Sequence, residues 1–176
     1  MSDSRILQLM WRAAIACLIL NAGILIAGSQ DVRPLAVAGP GPGGARHLML
    51  APGLSFTDDS SSYFPIRGEN LNEGRIASDR PTMIFFGTSH CWNTNREAER
   101  FVALSAKEGD AVRYLVVDLD RPSADQRALV SRFYRGSIPT LAVLDRAGRV
   151  VYNDAGETAR TRGDTSGLEA ILRKAN

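Results

Sequence analysis

One cysteine and one proline, each beside an apolar run, constrain most strongly how this chain can fold. Cys91 lies in FFGTSHCWNT, after an apolar run and before a predicted helix, and Pro139 lies 48 residues later in GSIPTLAVLD. At the start of a helix, backbone N–H groups and the helix dipole favour a thiolate. An X–Pro bond that leads into a strand can be cis and can lay backbone beside that sulfur. The pair therefore predicts a strand-to-helix corner whose thiol faces a proline loop.

Residues 81–176 carry alternating strand and helix signals. Apolar runs predict strands at 82–86, 112–117, 140–144 and 149–152. A tight Asp-Arg-Ala-Gly turn between the last two is suited to a hairpin. Helical spacing and capping boxes predict helices at 93–107, after Ser123 with Gln126, and after Ser166 with Glu169. This β-α-β-α-β-β-α order predicts a mixed central sheet with helices on both faces, its first strands parallel and its hairpin antiparallel.

The N-terminal part of the chain is organised differently. Residues 6–28 are mostly apolar and approach the length that spans a bilayer, and the basic side chains of Arg5 and Arg12 lie towards the N-terminus. This pattern predicts a single-pass anchor in the cell membrane, with the N-terminus cytoplasmic and the domain on the periplasmic or extracytoplasmic side. A cleaved signal peptide within residues 1–28, which would export the domain, and a merely buried helix are the alternatives.

The segments after this stretch lack regular periodicity. Residues 29–46 are rich in Gly and Pro and are predicted to form a flexible linker. Residues 47–78 contain many turn formers and are predicted to hold one or two short strands at positions that the pattern does not give. The folded domain is therefore expected to comprise residues 47–176, with its regular core at 81–176.

Composition excludes several classes of function. The 21 basic and 19 acidic residues are interspersed and leave a net charge of +2, so no basic stripe indicates nucleic-acid binding. The two cysteines, Cys17 and Cys91, lie in unrelated segments and show neither a disulfide framework nor zinc-ligand spacing. We therefore expect no metal and no cofactor. A chain of 176 residues allows one domain with extensions, which we expect to be a monomer.

The order of elements, with a cysteine after the first strand and Ile138-Pro139-Thr140 before the hairpin, resembles the thioredoxin superfamily over residues 81–176. The stretch VVDLDRPSADQRALVSRFYRGSIPTLAVLDRAGRVV is similar to the second half of thioredoxin. The resemblance implies a thioredoxin-like three-layer α/β/α sandwich, a cis Pro139 and an attacking Cys91. Thr94 stands where that family has its second cysteine, and the strand at 82–86 lacks the buried acid of classical thioredoxins.

The first hypothesis is thiol–disulfide exchange through a single cysteine. Cys91 could attack a disulfide, but Thr94 could not release the resulting mixed disulfide, so another thiol would be needed. The partners would be protein or low-molecular-weight thiols and disulfides. The predicted site residues are the catalytic set Cys91, Thr94 and Pro139 and the substrate-binding set His90, Trp92 and Ile138.

Two other hypotheses stay open. The same groove, between residues 90–94 and 137–139, could hold an extended peptide in a binding or scaffold module with a degenerate, non-catalytic site. Alternatively, Cys91 could reduce peroxides through a sulfenic acid.

Overall fold

The computed structural model describes residues 48–69, 75–76 and 79–176. The predicted anchor or signal segment at 1–28 and the predicted linker at 29–46 lie outside the described residues. Among the helices of the described part, none has the length and apolar character needed to cross a membrane.

In the described part, strands and helices follow one another in the predicted order. A short 3-10 turn at Gly109–Ala111 follows the first helix, which ends where Gly109 adopts a φ of 53°. The strands are β1 (Thr82–Gly87), β2 (Arg113–Asp118), β3 (Thr140–Leu144) and β4 (Val150–Ala155). The helices are α1 (Trp92–Glu108), α2 (Ala124–Phe133) and α3 (Ser166–Ala175).

The strands form one mixed sheet in the order β2-β1-β3-β4. β1 pairs in parallel with β2, because the α1 crossover returns the chain to the same end of the sheet. β3 runs antiparallel to both β1 and β4. The predicted parallel first strands and antiparallel hairpin are therefore confirmed.

Apolar side chains cover both faces of this sheet, because successive residues of a strand point to opposite sides. Phe85 of β1 packs with α1 and α3, in a cluster that includes Phe101 and Leu172. Phe86 belongs to a second cluster with Leu129 and Phe133 of α2 on the other face. The sheet thus lies between two helical layers, and the mixed sheet with its three helices matches a thioredoxin-like α/β fold.

One of the two predicted capping boxes is present. Ser123 accepts a hydrogen bond from the Gln126 N–H, and the Gln126 side chain accepts one from the Ser123 N–H. The second box is wrong, because Ser166 is the first residue of α3 and Thr165 is its N-cap. Glu169 instead accepts a hydrogen bond from the Thr165 hydroxyl at 2.6 Å.

The segment at residues 48–69 packs against α1 and the sheet. Leu48 and Ile66 are buried in the same cluster as Phe101, and the Leu48 N–H donates to Ser105 Oγ. A single antiparallel bridge joins Leu50 to Ile66. Within its described residues, this segment therefore contributes packing and one bridge, where one or two short strands were predicted.

Candidate functional site

Cys91 is the N-cap residue of α1, at the corner that its sequence context predicted. Its backbone is extended, with φ −140° and ψ 110°, and its carbonyl accepts the first intrahelical hydrogen bond, from Asn95 N at 3.2 Å. The side chain is half-buried, forms no disulfide and makes no capping hydrogen bond. The thiol is therefore chemically free and partly accessible.

Residues 134–139, here called the proline loop, lead into β3 at the same edge of the sheet as the loop that carries Cys91. The Ile138–Pro139 bond is cis, as the resemblance implied. Thr140, directly after it, pairs with Phe86 near the end of β1, and Cys91 follows β1 after a short loop. Pro139 is buried, whereas Ile138 is 42% exposed. The topology thus brings the cysteine loop and the proline loop to one edge, with Ile138 at the surface.

Thr94 is buried in the first turn of α1. Its Oγ1 accepts a hydrogen bond from the Thr88 N–H at 3.3 Å. A Cβ added to Gly87 would collide with the Thr94 methyl group, so Thr94 packs tightly against the end of β1. Thr94 therefore holds the loop that carries Cys91, and its hydroxyl proton is still able to donate.

The residues on either side of Cys91 differ in exposure. His90 is exposed and lines a cleft of about 210 Å³. Trp92 is half-buried, and the Arg96 guanidinium lies 5.6 Å from its ring centroid. The other residues around the cleft are Ser62, Tyr63, Phe64, Ser89, Asp118, Asp120 and Arg121.

Two carboxylates from separate loops hold the backbone around the thiol. Asp59 Oδ1 accepts a hydrogen bond from the Trp92 N–H at 3.0 Å, the first N–H of α1. Asp120 Oδ2 accepts one from the Ser89 N–H at 2.8 Å. Sequence reasoning missed both contacts, because the bonded residues lie 33 and 31 positions apart in the chain.

The loop that carries Asp59 is attached to α1 at a second point. The side-chain amide of Asn95 donates to the Ser55 carbonyl at 2.6 Å and to Ser61 Oγ at 2.8 Å. Ser61 Oγ also accepts from the Ser55 N–H at 2.8 Å. Because Asn95 is completely buried, this contact fixes residues 55–61 over the start of the helix.

A buried carboxylate lies further along α1. Glu97 is fully buried and pairs with Arg100, whose Nη2 is 2.7 Å from Glu97 Oε1. Burial raises the pKa of Glu97, while the positive charge of Arg100 opposes that rise. β1 carries no acidic residue, whereas α1 carries this buried acid, which sequence reasoning missed.

Glu97 connects α1 to the proline loop through Gly156. A Cβ added to Gly156 would lie 2.7 Å from Pro139 Cγ and 3.1 Å from Glu97 Cδ. The Gly156 N–H donates to the Pro139 carbonyl at 2.9 Å, and the Glu157 N–H donates to Glu97 Oε2. The backbone at 156–157 therefore joins the proline loop to the helix that Cys91 begins.

Similarity to known proteins is confined to structure. No protein-family model and no curated protein sequence matches the chain. A Schistosoma mansoni thioredoxin pre-protein aligns with a TM-score of 0.43 and 19% identity, over 56% of this chain and 82% of that chain. A Fasciola hepatica thioredoxin aligns with a TM-score of 0.43 and 17% identity, over 60% and 86%.

Spinach chloroplast thioredoxin f is a further similar structure, with a TM-score of 0.41 and 21% identity over 55% of this chain and 77% of that chain. At these TM-scores and identities, the fold is identified from the chain's own topology and residues. The sheet order, the cis bond before β3 and the N-cap cysteine of α1 together give a thioredoxin-like fold with one cysteine at its site.

Proposed function

We propose that this protein exchanges thiols and disulfides through Cys91 alone. The Cys91 thiolate attacks one sulfur of a disulfide, a new S–S bond forms, and the other sulfur leaves as a thiolate. A second thiol, from glutathione or a protein, then attacks the mixed disulfide and returns Cys91 to the reduced state. The two steps balance without any cofactor.

The observation that carries this proposal is the state of the Cys91 side chain. It is half-buried, makes no capping hydrogen bond and begins a 17-residue helix at the sheet edge that also carries the cis Ile138–Pro139 bond. A structural cysteine is usually enclosed and inert, whereas exchange needs an accessible sulfur near a helix N-terminus. Exposed Ile138 and the adjacent backbone of Ser137, at the same end of the sheet, would give an extended disulfide substrate a surface to bind.

The reaction of the full-length chain with glutathione disulfide tests the proposal. In a Cys17→Ser background, Cys91 is expected to form a mixed disulfide that a second thiol then reduces, both steps followed by mass spectrometry. Adding Cys91→Ser should abolish the adduct. If Cys91 reacts only after unfolding in urea, exchange by the folded protein is excluded.

A Thr94→Cys variant sharpens the test of single-thiol chemistry. A second thiol at position 94 should attack the mixed disulfide from within the chain. The adduct should therefore fail to accumulate, and glutathione should be released without added thiol. Persistence of the adduct in this variant would mean that residue 94 cannot reach the sulfur of Cys91.

The second candidate is a binding module without catalysis, and the exposed apolar side chains near the site favour it. Ile138 is 42% exposed and Tyr63, beside the His90 cleft, is 70% exposed. An extended peptide could pair with backbone at 137–138 and contact these side chains. Partners captured equally well by wild type and Cys91→Ser would support binding over exchange.

The proposed location depends on residues 6–28. If that stretch anchors the chain as its composition predicts, the domain would meet thiols and disulfides on the exported side of the membrane. Fractionation of cells that produce the full chain and a form lacking residues 1–28 tests this. Soluble full-length protein of unchanged mass would argue against an anchor.

A further inference from the structure

We propose that Asp59 restrains the reactivity of Cys91 by placing a negative charge at the helix N-terminus where a thiolate would form. The inference rests on the proposed function, because it concerns the same thiol. It assigns a role to the 55–61 loop, whose contribution the sequence left open. Asp59 acts through Cys91 and is therefore a positioning residue.

The contact itself is specific. Asp59 Oδ1 lies 3.0 Å from the N–H of Trp92, and that nitrogen is joined directly to the carbonyl carbon of Cys91. The carboxylate thus accepts a hydrogen bond from the peptide group that joins Cys91 to Trp92. Asn95 holds the same loop in place through Ser55 and Ser61, so the carboxylate is fixed by two attachments.

The electrostatic consequence follows from where the charge lies. The positive end of a helix dipole stabilises a negative charge near its first turn. In this protein that charge is supplied by Asp59, since the first turn of α1 contains no acidic residue of its own and Cys91 makes no capping hydrogen bond. A thiolate at Cys91 would add a second negative charge to the same helix end, and the two would repel each other.

Other charged groups near this helix end also act on Cys91. They remain the same in the parent, Asp59→Asn and Asp59→Ala, so a difference among these three proteins reports Asp59. These groups are Asp58 in the same loop, His90 before Cys91, Arg96 on α1, and Asp118, Asp120 and Arg121 around the cleft.

The test measures how fast iodoacetamide alkylates Cys91 in the folded full-length chain, in a Cys17→Ser background. Asp59→Asn removes the charge but keeps an oxygen that can accept from Trp92, so the loop should stay attached. We expect its alkylation rate at neutral pH to rise about threefold to tenfold, and its rate-versus-pH profile to shift to lower pH. About 1 M salt should reduce the difference, because Asp59 is exposed and salt screens exposed charges.

Asp58→Asn is the matched control. It removes the same charge from the neighbouring position, whose carboxylate accepts from the Ser60 N–H within the loop and not from the first N–H of α1. Its rate should stay within about twofold of the parent, as expected of a screened exposed charge. Asp59→Ala removes the charge and the hydrogen bond together, so comparing it with Asp59→Asn separates the effect of charge from the effect of loop attachment. If the alkylation rate rises in Asp59→Ala but not in Asp59→Asn, the loop acts by covering the thiol and the charge is irrelevant, which would contradict this proposal.

The outcomes separate this inference from the function on which it rests. If Cys91 is alkylated and exchanges with glutathione disulfide at equal rates in the parent and Asp59→Asn, Asp59 has no such role and the exchange function stands. If Cys91 is inert in every folded variant, exchange and the inference both fail.

Discussion

Two carboxylates that interact with α1, Asp59 and Glu97, stand in opposite surroundings. Asp59 reaches the N-terminus of α1 from a loop, lies exposed and accepts a single backbone N–H. Glu97 belongs to the helix, is fully buried and is paired with Arg100. Asp59 is therefore screened by water, whereas Glu97 interacts through the protein interior.

The two carboxylates that interact with α1 should therefore affect different properties of the protein. A surface carboxylate can alter chemistry at little cost in folding energy, because exposed charges contribute little to stability. A buried ion pair cannot be altered without leaving its partner charge unpaired in the interior. We therefore expect changes around Glu97 to act on stability and changes at Asp59 to act on reactivity.

Breaking the buried pair should change stability most. Glu97→Gln puts an NH2 group, which cannot accept a hydrogen bond, in place of one of the two carboxylate oxygens that accept from Arg100 and from the Glu157 N–H. Because a buried donor then loses its acceptor, we expect the free energy of unfolding to fall by about 3 kcal/mol, measured by urea denaturation. Glu99→Gln, an exposed acid on the same helix, is the control and should change stability little. Equal behaviour of the two variants would show that the fold does not depend on both Glu97 oxygens as acceptors.

The next effect concerns the link between Glu97 and the proline loop. Gly156→Ala would place a Cβ 2.7 Å from Pro139 Cγ and 3.1 Å from Glu97 Cδ, so surrounding atoms must move. We expect a loss of about 2 kcal/mol in the free energy of unfolding. Gly167→Ala, in α3 with open space around it, should instead stabilise the protein by about 0.5 kcal/mol. Equal signs for the two changes would contradict the crowding at Gly156.

A smaller effect is expected at the attachment of the 55–61 loop. Asn95→Ala removes the hydrogen bonds to Ser55 and Ser61 from a fully buried position. We expect about 1.5 kcal/mol of destabilisation and faster amide exchange in residues 55–61. The exposed neighbour Asn93, changed to Ala, provides the control. Unchanged exchange in Asn95→Ala would mean that the loop is held by other contacts.

The smallest effect is a pair of opposite titrations. Burial raises the pKa of Glu97, whereas hydrogen bonds from Ser60 and Ser55 lower the pKa of Asp58. Stability linked to Glu97 is thus fully present below its unfolded value of 4.5 and falls as pH rises towards the folded pKa. Stability linked to Asp58 is present above 3.8 and is lost as pH falls through the folded pKa. NMR titration of the carboxyl groups should give a midpoint above 4.5 for Glu97 and a midpoint below 3.8 for Asp58. Shifts of both midpoints in the same direction would refute this contrast.

The sequence was sufficient where the signal is local. The apolar runs predicted the four strands of the described part, and the context of Cys91 predicted the start of α1. Both depend on residues that are adjacent in the chain. The cis bond before β3 was implied by the resemblance to the thioredoxin superfamily and is present.

The features that sequence reasoning missed depend on contacts between distant segments. Glu97 and Arg100 have the i,i+3 spacing of an ordinary surface ion pair, and their hydrogen bonds to Glu157 and Asp164 join residues 60 and 64 positions apart in the chain. Asp59 lies in a serine-rich stretch without periodicity, so nothing in the pattern places it at α1. For α3, the Ser166 box failed because Thr165, one residue earlier, forms the N-cap.

Because Gly156 has no side chain, it limits which substitutions the protein can accept around it. Any residue other than glycine at position 156 would place its side chain against Pro139 and Glu97, which are 42 positions apart in the chain. A bulkier residue at 156 should become tolerable only together with a smaller one at 97 or 139. Substitutions at positions 97, 139 and 156 should therefore occur together, so that variation at the proline loop depends on one glycine in another loop.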